Sequence, residues 1–432
     1  MATVTPEKTM NLWSVSALGI GAMVGAGVFA VMGQVAVVAG NNTYIAFIIG
    51  GLIAALSGYS YAILAVHFPE DGGLTAYFDR AFGSGRISGT LSLVYMLTVA
   101  VTIALVAKAF GGYAAPLLTG QTDVLAVNLF ATSIVVVLAV LNIFGTGLVG
   151  RAEIVLVAIK LIILAGLIIA GSIGIAGRPA VAELHTGLTG IIGCVGLTFL
   201  AYAGYENTAN AANSVLKPRQ TIPLAMCLAI GAVIILYVGL AIVIVKSAPA
   251  DEIASHSATI VADAARPVLG KAGYVIMSVG ALLATASGIN AWIYNGMNIS
   301  LSLAKARQLP AMFGHQIWRN GTIGILVSLA CILLALNLLD VGTLASLTSS
   351  AFLFVYLAVY VAHWRLIGQT KANRALVIIG FTTMAIIFLG FLWTMARTHP
   401  RSAASIAVIL VAAWLIESLL MRKRLAVSPK AS

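Results

Sequence analysis

Long blocks of apolar residues follow one another along this chain, separated by short polar clusters. A helix needs roughly 20 apolar residues to cross a bilayer core. Blocks of that size predict membrane helices near 12–39, 43–66, 88–116, 123–144, 152–175, 187–213, 222–246, 268–303, 322–339, 343–364, 375–395 and 403–421. The expected fold class is an all-α polytopic membrane protein of about twelve transmembrane helices. The longest polar stretches, around 66–87, 246–267 and 303–321, are loops rather than linkers, so 1–432 reads as a single domain.

Composition agrees with this pattern. Of 432 residues, 61% are hydrophobic and 9% charged, and the mean hydropathy is +1.05. A soluble chain of this length needs far more charge to cover its surface. The net charge of +11 would suit nucleic acid only if the basic residues shared a face. They are scattered singly between apolar blocks, which argues against that partner. They read better as topology signals. With the N-terminus inside, Lys8, Arg80, Arg86, Arg151, Lys217, Arg219, Lys305, Arg307, Arg319, Arg365, Lys371, Arg374, Arg422, Lys423, Arg424 and Lys430 fall on the cytoplasmic side. Arg178, Lys246, Arg266, Lys271, Arg397 and Arg401 fall outside, with Lys108 expected to snorkel outward. Both termini are therefore expected inside, in the cell inner (plasma) membrane. The block from Leu12 to Ala39 is too long for a cleaved leader and reads as a retained first span.

Little else in the composition carries chemistry. Cys194, Cys227 and Cys331 each stand alone in an apolar run and read as packing residues. No histidine lies near the middle of a span, so neither a metal nor another cofactor is expected. An intramembrane enzyme would need a paired nucleophile and base, and a channel a repeated pore segment or charged rings. Neither pattern is found.

Two spans differ from the rest. Span 1 contains Gly19-Ile-Gly-Ala-Met-Val-Gly-Ala-Gly27. Each glycine costs a helix roughly 1 kcal/mol relative to Ala. The run therefore predicts an unwound segment at mid-membrane depth, although the Gly21–Gly25 pair would also suit close helix packing. Span 6 turns polar halfway, at Glu206, Asn207, Thr208, Asn210 and Asn213. These face protein or a water-filled cavity, unless they are the wet end of a helix finishing near 205. Spans 1 and 6 open two five-span halves, and interruptions at matching positions point to an inverted-repeat carrier with its site at the breaks. Half-helix N-termini offer N–H groups to a carboxylate and unwound carbonyls accept from an ammonium. An α-amino acid carries both groups.

Charged residues inside the spans are few. Lys160 lies about eight residues into span 5, roughly 12 Å deep at 1.5 Å per residue. A lysine there costs about 2.5–3.5 kcal/mol on insertion scales. It is either a static hydrogen-bonding or snorkelling group, or a proton carrier near the breaks. Glu206 could hold a proton, control the inner pathway, or bond the backbone freed by the break. Glu153 and Glu417 read as interfacial.

Four motifs, spread over about residues 12–310, together resemble the amino acid–polyamine–organocation (APC) superfamily. They are Gly19 to Phe29; Phe68-Pro-Glu-Asp-Gly-Gly-Leu-Thr-Ala-Tyr77 with Ala81-Phe-Gly83; Tyr205-Glu206 through Lys217-Pro-Arg-Gln-Thr-Ile-Pro223; and Ala284-Thr-Ala-Ser-Gly-Ile-Asn290 through Leu301 to Pro310. The resemblance implies a LeuT-type 5+5 inverted repeat with spans 1 and 6 broken: 1–175, then 187–364, with two additional helices over 375–421. It implies secondary active transport of amino acids by alternating access. The substrate carboxylate would meet the amides of Val24, Gly25, Ala26 and Gly27. Its ammonium would meet carbonyls of Gly21 and Ala22, with Met23 in the same stretch, and of Phe199, Leu200, Ala201 and Tyr202. Lys160 aligns with a span 5 lysine of proton-coupled relatives, Ser287 falls in the same cation region, and Glu206 matches an acidic position at the second break.

Two positions and one pair of segments depart from the pattern. Leu200 stands where some relatives have an aromatic lid, and Asn298 where many have Arg. Gly27-Val-Phe-Ala-Val31 with Val38-Ala-Gly-Asn-Asn42 is similar to a branch that exports methionine and branched-chain amino acids. The expected function is proton-coupled uptake of small or medium neutral amino acids, with export, exchange, or amine and polyamine transport as alternatives. The expected partners are the amino acid, protons and the lipid bilayer.

Overall fold

The computed structural model describes residues 10–69, 73–144, 149–174, 188–306, 308–309, 311–318, 321–398, 400, 407 and 409–418. Residues 70–72, Arg307 and Pro310 of the family motifs, and much of the expected 403–421 span, lie outside the described residues, as do Lys8, Arg178, Arg319, Arg401, Arg422, Lys423, Arg424 and Lys430. In chain order the helices are α1 (Leu12–Ala26), α2 (Val28–Ala39), α3 (Thr43–His67), α4 (Leu74–Phe82), α5 (Arg86–Thr119), α6 (Val124–Phe144), α7 (Val149–Gly174), α8 (Leu188–Tyr202) and α9 (Glu206–Asn210). Then come α10 (Pro218–Ser247), α11 (Ala250–Ser255), α12 (Ile260–Asp263), α13 (Arg266–Lys305), α14 (Ile323–Leu338), α15 (Val341–Arg365), α16 (Ile367–Thr370) and α17 (Arg374–Thr398).

The apolar blocks fall on these helices to within a few residues. Eight described segments are long and apolar enough to cross a membrane, and Leu12–Gly25, Ile323–Leu338 and Ile409–Ser418 are shorter apolar helices. Local chemistry sets several ends. The Asn11 side chain accepts from the Ser14 N–H at 2.9 Å to start α1, and Asp340 accepts from the Thr343 N–H at 2.9 Å to start α15. Gly120, at φ 71, closes α5 in the left-handed conformation. One departure from a purely helical chain lies in the loop after α13, where β1 (Gln316–Trp318) pairs antiparallel with β2 (Gly321–Thr322).

α5 sits at the centre, packed against α6, α13, α14 and α15. Its Val94, Val99, Ile103 and Val106 are buried, whereas Val124, Leu129, Val137 and Leu141 of α6 are exposed. Such a face suits lipid. Lipid is as apolar as the side chains, so helices associate through small residues and close packing. A Cβ on Gly25 would lie 2.5 Å from the Gly288 Cα, and one on Gly50 would lie 2.5 Å from the Thr198 hydroxyl.

Several expectations from sequence are corrected. Lys108 does not snorkel: it is 5% exposed, and its Nζ donates to Asn128 Oδ1 at 2.5 Å. Glu417 is buried in protein, with its carboxylate against Gly89 in the first turn of α5. The absence of a side chain at Gly89 makes that room. Of the cysteines, only Cys194 is buried, while Cys227 and Cys331 are exposed. The side chain of Glu153 lies outside the described residues.

Candidate functional site between two broken helices

The first break is shorter than the glycine run suggested. α1 continues through Gly19, Gly21 and Gly25, and only Gly27 leaves the helix, at φ −81 and ψ −78. Its N–H still donates to the Met23 carbonyl at 2.8 Å. The glycines in α1 serve close approach instead. A Cβ on Gly27 would collide with the Ala201 carbonyl oxygen and lie 2.5 Å from the Tyr237 hydroxyl. The backbones of the two broken helices therefore touch here. Tyr237, on α10, ties them together: its hydroxyl is 2.8 Å from the Met23 carbonyl and 3.1 Å from that of Ala201.

The second break follows the polar switch in sequence. α8 ends at Tyr202, residues 203–205 turn, and α9 begins at Glu206. Gly204 takes φ 124, a conformation that disfavours a side chain, and a Cβ there would lie 2.9 Å from Ala22. Glu206 is buried, and its Oε2 accepts the Gly204 N–H at 2.8 Å and the Tyr356 hydroxyl at 2.7 Å. Tyr356 is itself held in an aromatic cluster, with ring centroids 5.2 Å from Tyr61 and from Phe199 and 5.7 Å from Tyr205.

Lys160 reaches the first break from α7. It is 1% exposed, and its Nζ donates to the Gly21 carbonyl at 2.8 Å and to Ser287 Oγ of α13 at 3.2 Å. Gly21, Lys160 and Ser287, from three different helices, are thus brought together. Glu206 serves the other break. The signs agree with the partial charges of the backbone groups: the cation sits on the Gly21 carbonyl in the C-terminal half of α1, and the carboxylate on the Gly204 N–H in the turn before α9.

The other sequence-singled residues border the same junction. Ala22, Met23, Val24, Phe199, Leu200, Ala201 and Tyr202 are all buried. Ala26 ends α1, and its side chain lies outside the described residues. Sequence reasoning missed Tyr237 and Tyr356. Their signal was a tyrosine inside an apolar span, whose hydroxyl must find a partner when buried. Among the described residues, no cluster of His, Cys, Asp or Glu could hold a metal ion.

Many apolar helices around two touching, internally bonded helix breaks define a multi-pass membrane transporter. Residues 10–415 match the amino acid permease family, and the chain belongs to it. It is 40% identical over 425 residues, 96% of this chain and 95% of the relative, to the inner membrane transport protein YbaT of Escherichia coli K12. It is 22% identical over 387 residues, 85% of this chain and 86% of the relative, to the serine/threonine exchanger SteT of Bacillus subtilis. Among solved structures, the manganese transporter of Eremococcus coleocola, crystallised with an aromatic bis-isothiourea compound, aligns with a TM-score of 0.57 at 16% identity. That alignment covers 98% of this chain and 97% of the other, and shows a shared fold.

Proposed function

We propose that this permease takes up small or medium neutral amino acids together with protons, by alternating access around its two broken helices. The observation that carries the reading is the bond from Lys160 Nζ to the Gly21 carbonyl and Ser287 Oγ, which pins the first broken helix to α7 and α13. A protonated amine holds this pin as a donor, and loss of the proton weakens it. Proton binding and helix position are then one equilibrium, and a ligand that prefers one position shifts it.

The substrate carboxylate would sit at the amides of Val24 to Gly27, and its ammonium at the carbonyls of Gly21, Ala22 and Phe199 to Tyr202. The Gly27 N–H is bonded to Met23 and the Gly21 carbonyl to Lys160. Binding therefore requires the first break to loosen, which links occupancy to the pin. The side chains around the junction, including Ala22, Val24, Phe199 and Leu200, are apolar, and the Glu206 carboxylate already accepts two hydrogen bonds. This favours neutral over cationic substrates. On this reading 1–175 and 187–364 are the inverted halves, 375–421 adds two helices, and both termini are cytoplasmic, as the distribution of Lys and Arg favours.

A second reading, exchange of one amino acid for another, is favoured by the similarity to the serine/threonine exchanger of Bacillus subtilis. Uptake of labelled amino acids into proteoliposomes separates the two. Stimulation by an inward proton gradient supports symport. Uptake that ignores the gradient and requires amino acid inside identifies an exchanger. Failure of every neutral amino acid, with transport of amines, overturns the substrate class.

A further inference from the structure

Away from the breaks, α15 and α17 pack together and leave a groove of about 220 Å³ between them. It is lined by Tyr360, Val361 and Trp364 of α15 and by Val377, Ile378 and Phe381 of α17. Tyr360 and Val377 form a buried floor, while Val361, Trp364, Ile378 and Phe381 are between 37% and 49% exposed. The groove therefore opens outward onto the bilayer. A water molecule in a site needs two to four polar partners, and this apolar lining suits a hydrocarbon instead.

The mouth of the groove is basic. Arg365 directly follows Trp364, and Arg374 precedes Val377 and Ile378 by three and four residues, which places it one turn above them on the same helix face. Lys371 lies in the connection between the two helices. No Asp or Glu occurs anywhere from Val341 to Thr398. Arg365 is already engaged, its guanidinium 4.7 Å above the Phe82 ring and its Nη1 3.4 Å from the Ala81 carbonyl. Lys371 and Arg374 are exposed. Lys371 is also the one described non-glycine residue with positive φ, at 51°. Glycine or asparagine would take that conformation at lower cost. Lys371 ends α16, its N–H donating to the Ile367 carbonyl at 3.0 Å, and this cap holds the lysine at the turn between the two helices.

We infer that this groove holds an anionic phospholipid, with an acyl chain along α15 and α17 and its phosphate between Lys371 and Arg374. Trp364 then lies at the level of the headgroups, where such amphipathic rings gather, and the two cations make charge-assisted bonds to the phosphate oxygens. A second copy of this chain is a poorer occupant. A twofold contact would set the same basic patch against itself.

The test is native mass spectrometry of the purified full-length protein with added phosphatidylglycerol or phosphatidylcholine of matched chains. Wild type should retain phosphatidylglycerol preferentially. Lys371→Gly and Arg374→Gln should each lower its retention by about fivefold, as expected for one basic side chain near an anionic surface, and leave phosphatidylcholine retention unchanged. Lys371→Gly relieves the positive φ, so its thermal stability should be no lower than that of wild type, which separates lost binding from lost folding. Ile378→Trp should reduce retention by filling the groove without touching a charge. Equal retention of both lipids, or undiminished phosphatidylglycerol retention in the Lys371→Gly/Arg374→Gln double variant, overturns the inference. So does a lipid-free dimer that Ile378→Trp dissociates.

Discussion

At Gly27 the chain leaves one helix and enters the next within a single residue, whereas at residues 203–205 it takes three and passes through φ 124 at Gly204. The first break keeps its own backbone bond, from the Gly27 N–H to Met23, and is held from outside by a lysine on the Gly21 carbonyl. The second is held from within by its own Glu206, which accepts the Gly204 N–H and a tyrosine hydroxyl. A cation serves the carbonyl side and an anion the amide side, each where the partial charges of broken helices favour it. The contrast also separates two kinds of constraint. At the first break the space is filled by backbone, so shape governs. At the second, the α1 backbone would also lie 2.9 Å from a Cβ on Gly204, but the Glu206 side chain supplies the bonds, so hydrogen bonding governs as well as shape.

Adding a methyl group at the first break should have the largest effect. Gly27→Ala drives a Cβ into the Ala201 carbonyl, and overpacking of this kind typically costs about 1–3 kcal/mol. Uptake should fall to background in proteoliposomes. Wild-type uptake by this variant would mean that the two backbones need not touch. Next comes Glu206→Ala, which leaves the Gly204 N–H and the Tyr356 hydroxyl buried without their acceptor. The expected loss is about 1–3 kcal/mol in thermal unfolding in detergent. Glu206→Gln keeps an oxygen acceptor and should recover most of that loss. If Gln is as damaging as Ala, the charge rather than the hydrogen bonding holds the second break.

Tyr237→Phe touches both breaks at once, and should cost about 1 kcal/mol, one neutral hydrogen bond. A double-mutant cycle with Glu206→Gln should be near additive, since the two bonds serve different backbone groups.

The smallest effect lies at the start of α15. Partial burial raises the Asp340 carboxyl pKa, but hydrogen bonds from the Thr343 hydroxyl and N–H outweigh it and hold the group below its usual range. The folded-state value is depressed, so its stabilisation is present above the unfolded value and fades as pH falls through the folded one. For this exposed group it amounts to at most about 0.5 kcal/mol. Asp340→Asn should match wild type at neutral pH, because Asn caps as well. In acid its unfolding temperature should fall less than that of wild type.

The helices were legible because the length and polarity of a span are sequence-local quantities. The 88–116 block lies inside α5, and the polar switch after Tyr202 marks a real break. The extent of the first break was not legible. Glycine propensity describes an isolated helix, but α1 is buried and held by packing against α10 and α13. Lys160 stood out as a charge in an apolar run, and the family resemblance pointed to its neighbour Ser287. Tyr237 and Tyr356 reach partners 214 and 150 residues away, and a hydroxyl in an apolar span does not show locally which partner it will find. The burial of Lys108 and Glu417 was not legible for the same reason. Their burial depends on Asn128 and Gly89 in neighbouring helices, which position along the span does not reveal.

The proposed coupling of protons to the first break depends most heavily on Lys160. The direct test compares wild type with Lys160→Ala in proteoliposomes, measuring uptake of the best neutral amino acid with and without an inward proton gradient. Wild type should be stimulated by the gradient. The variant should keep only a residual uptake, lower by about tenfold or more, corresponding to at least 1.4 kcal/mol, and the gradient should leave it unchanged. A variant stimulated by the gradient as strongly as wild type would contradict the coupling role and leave Lys160 as a fixed structural cation.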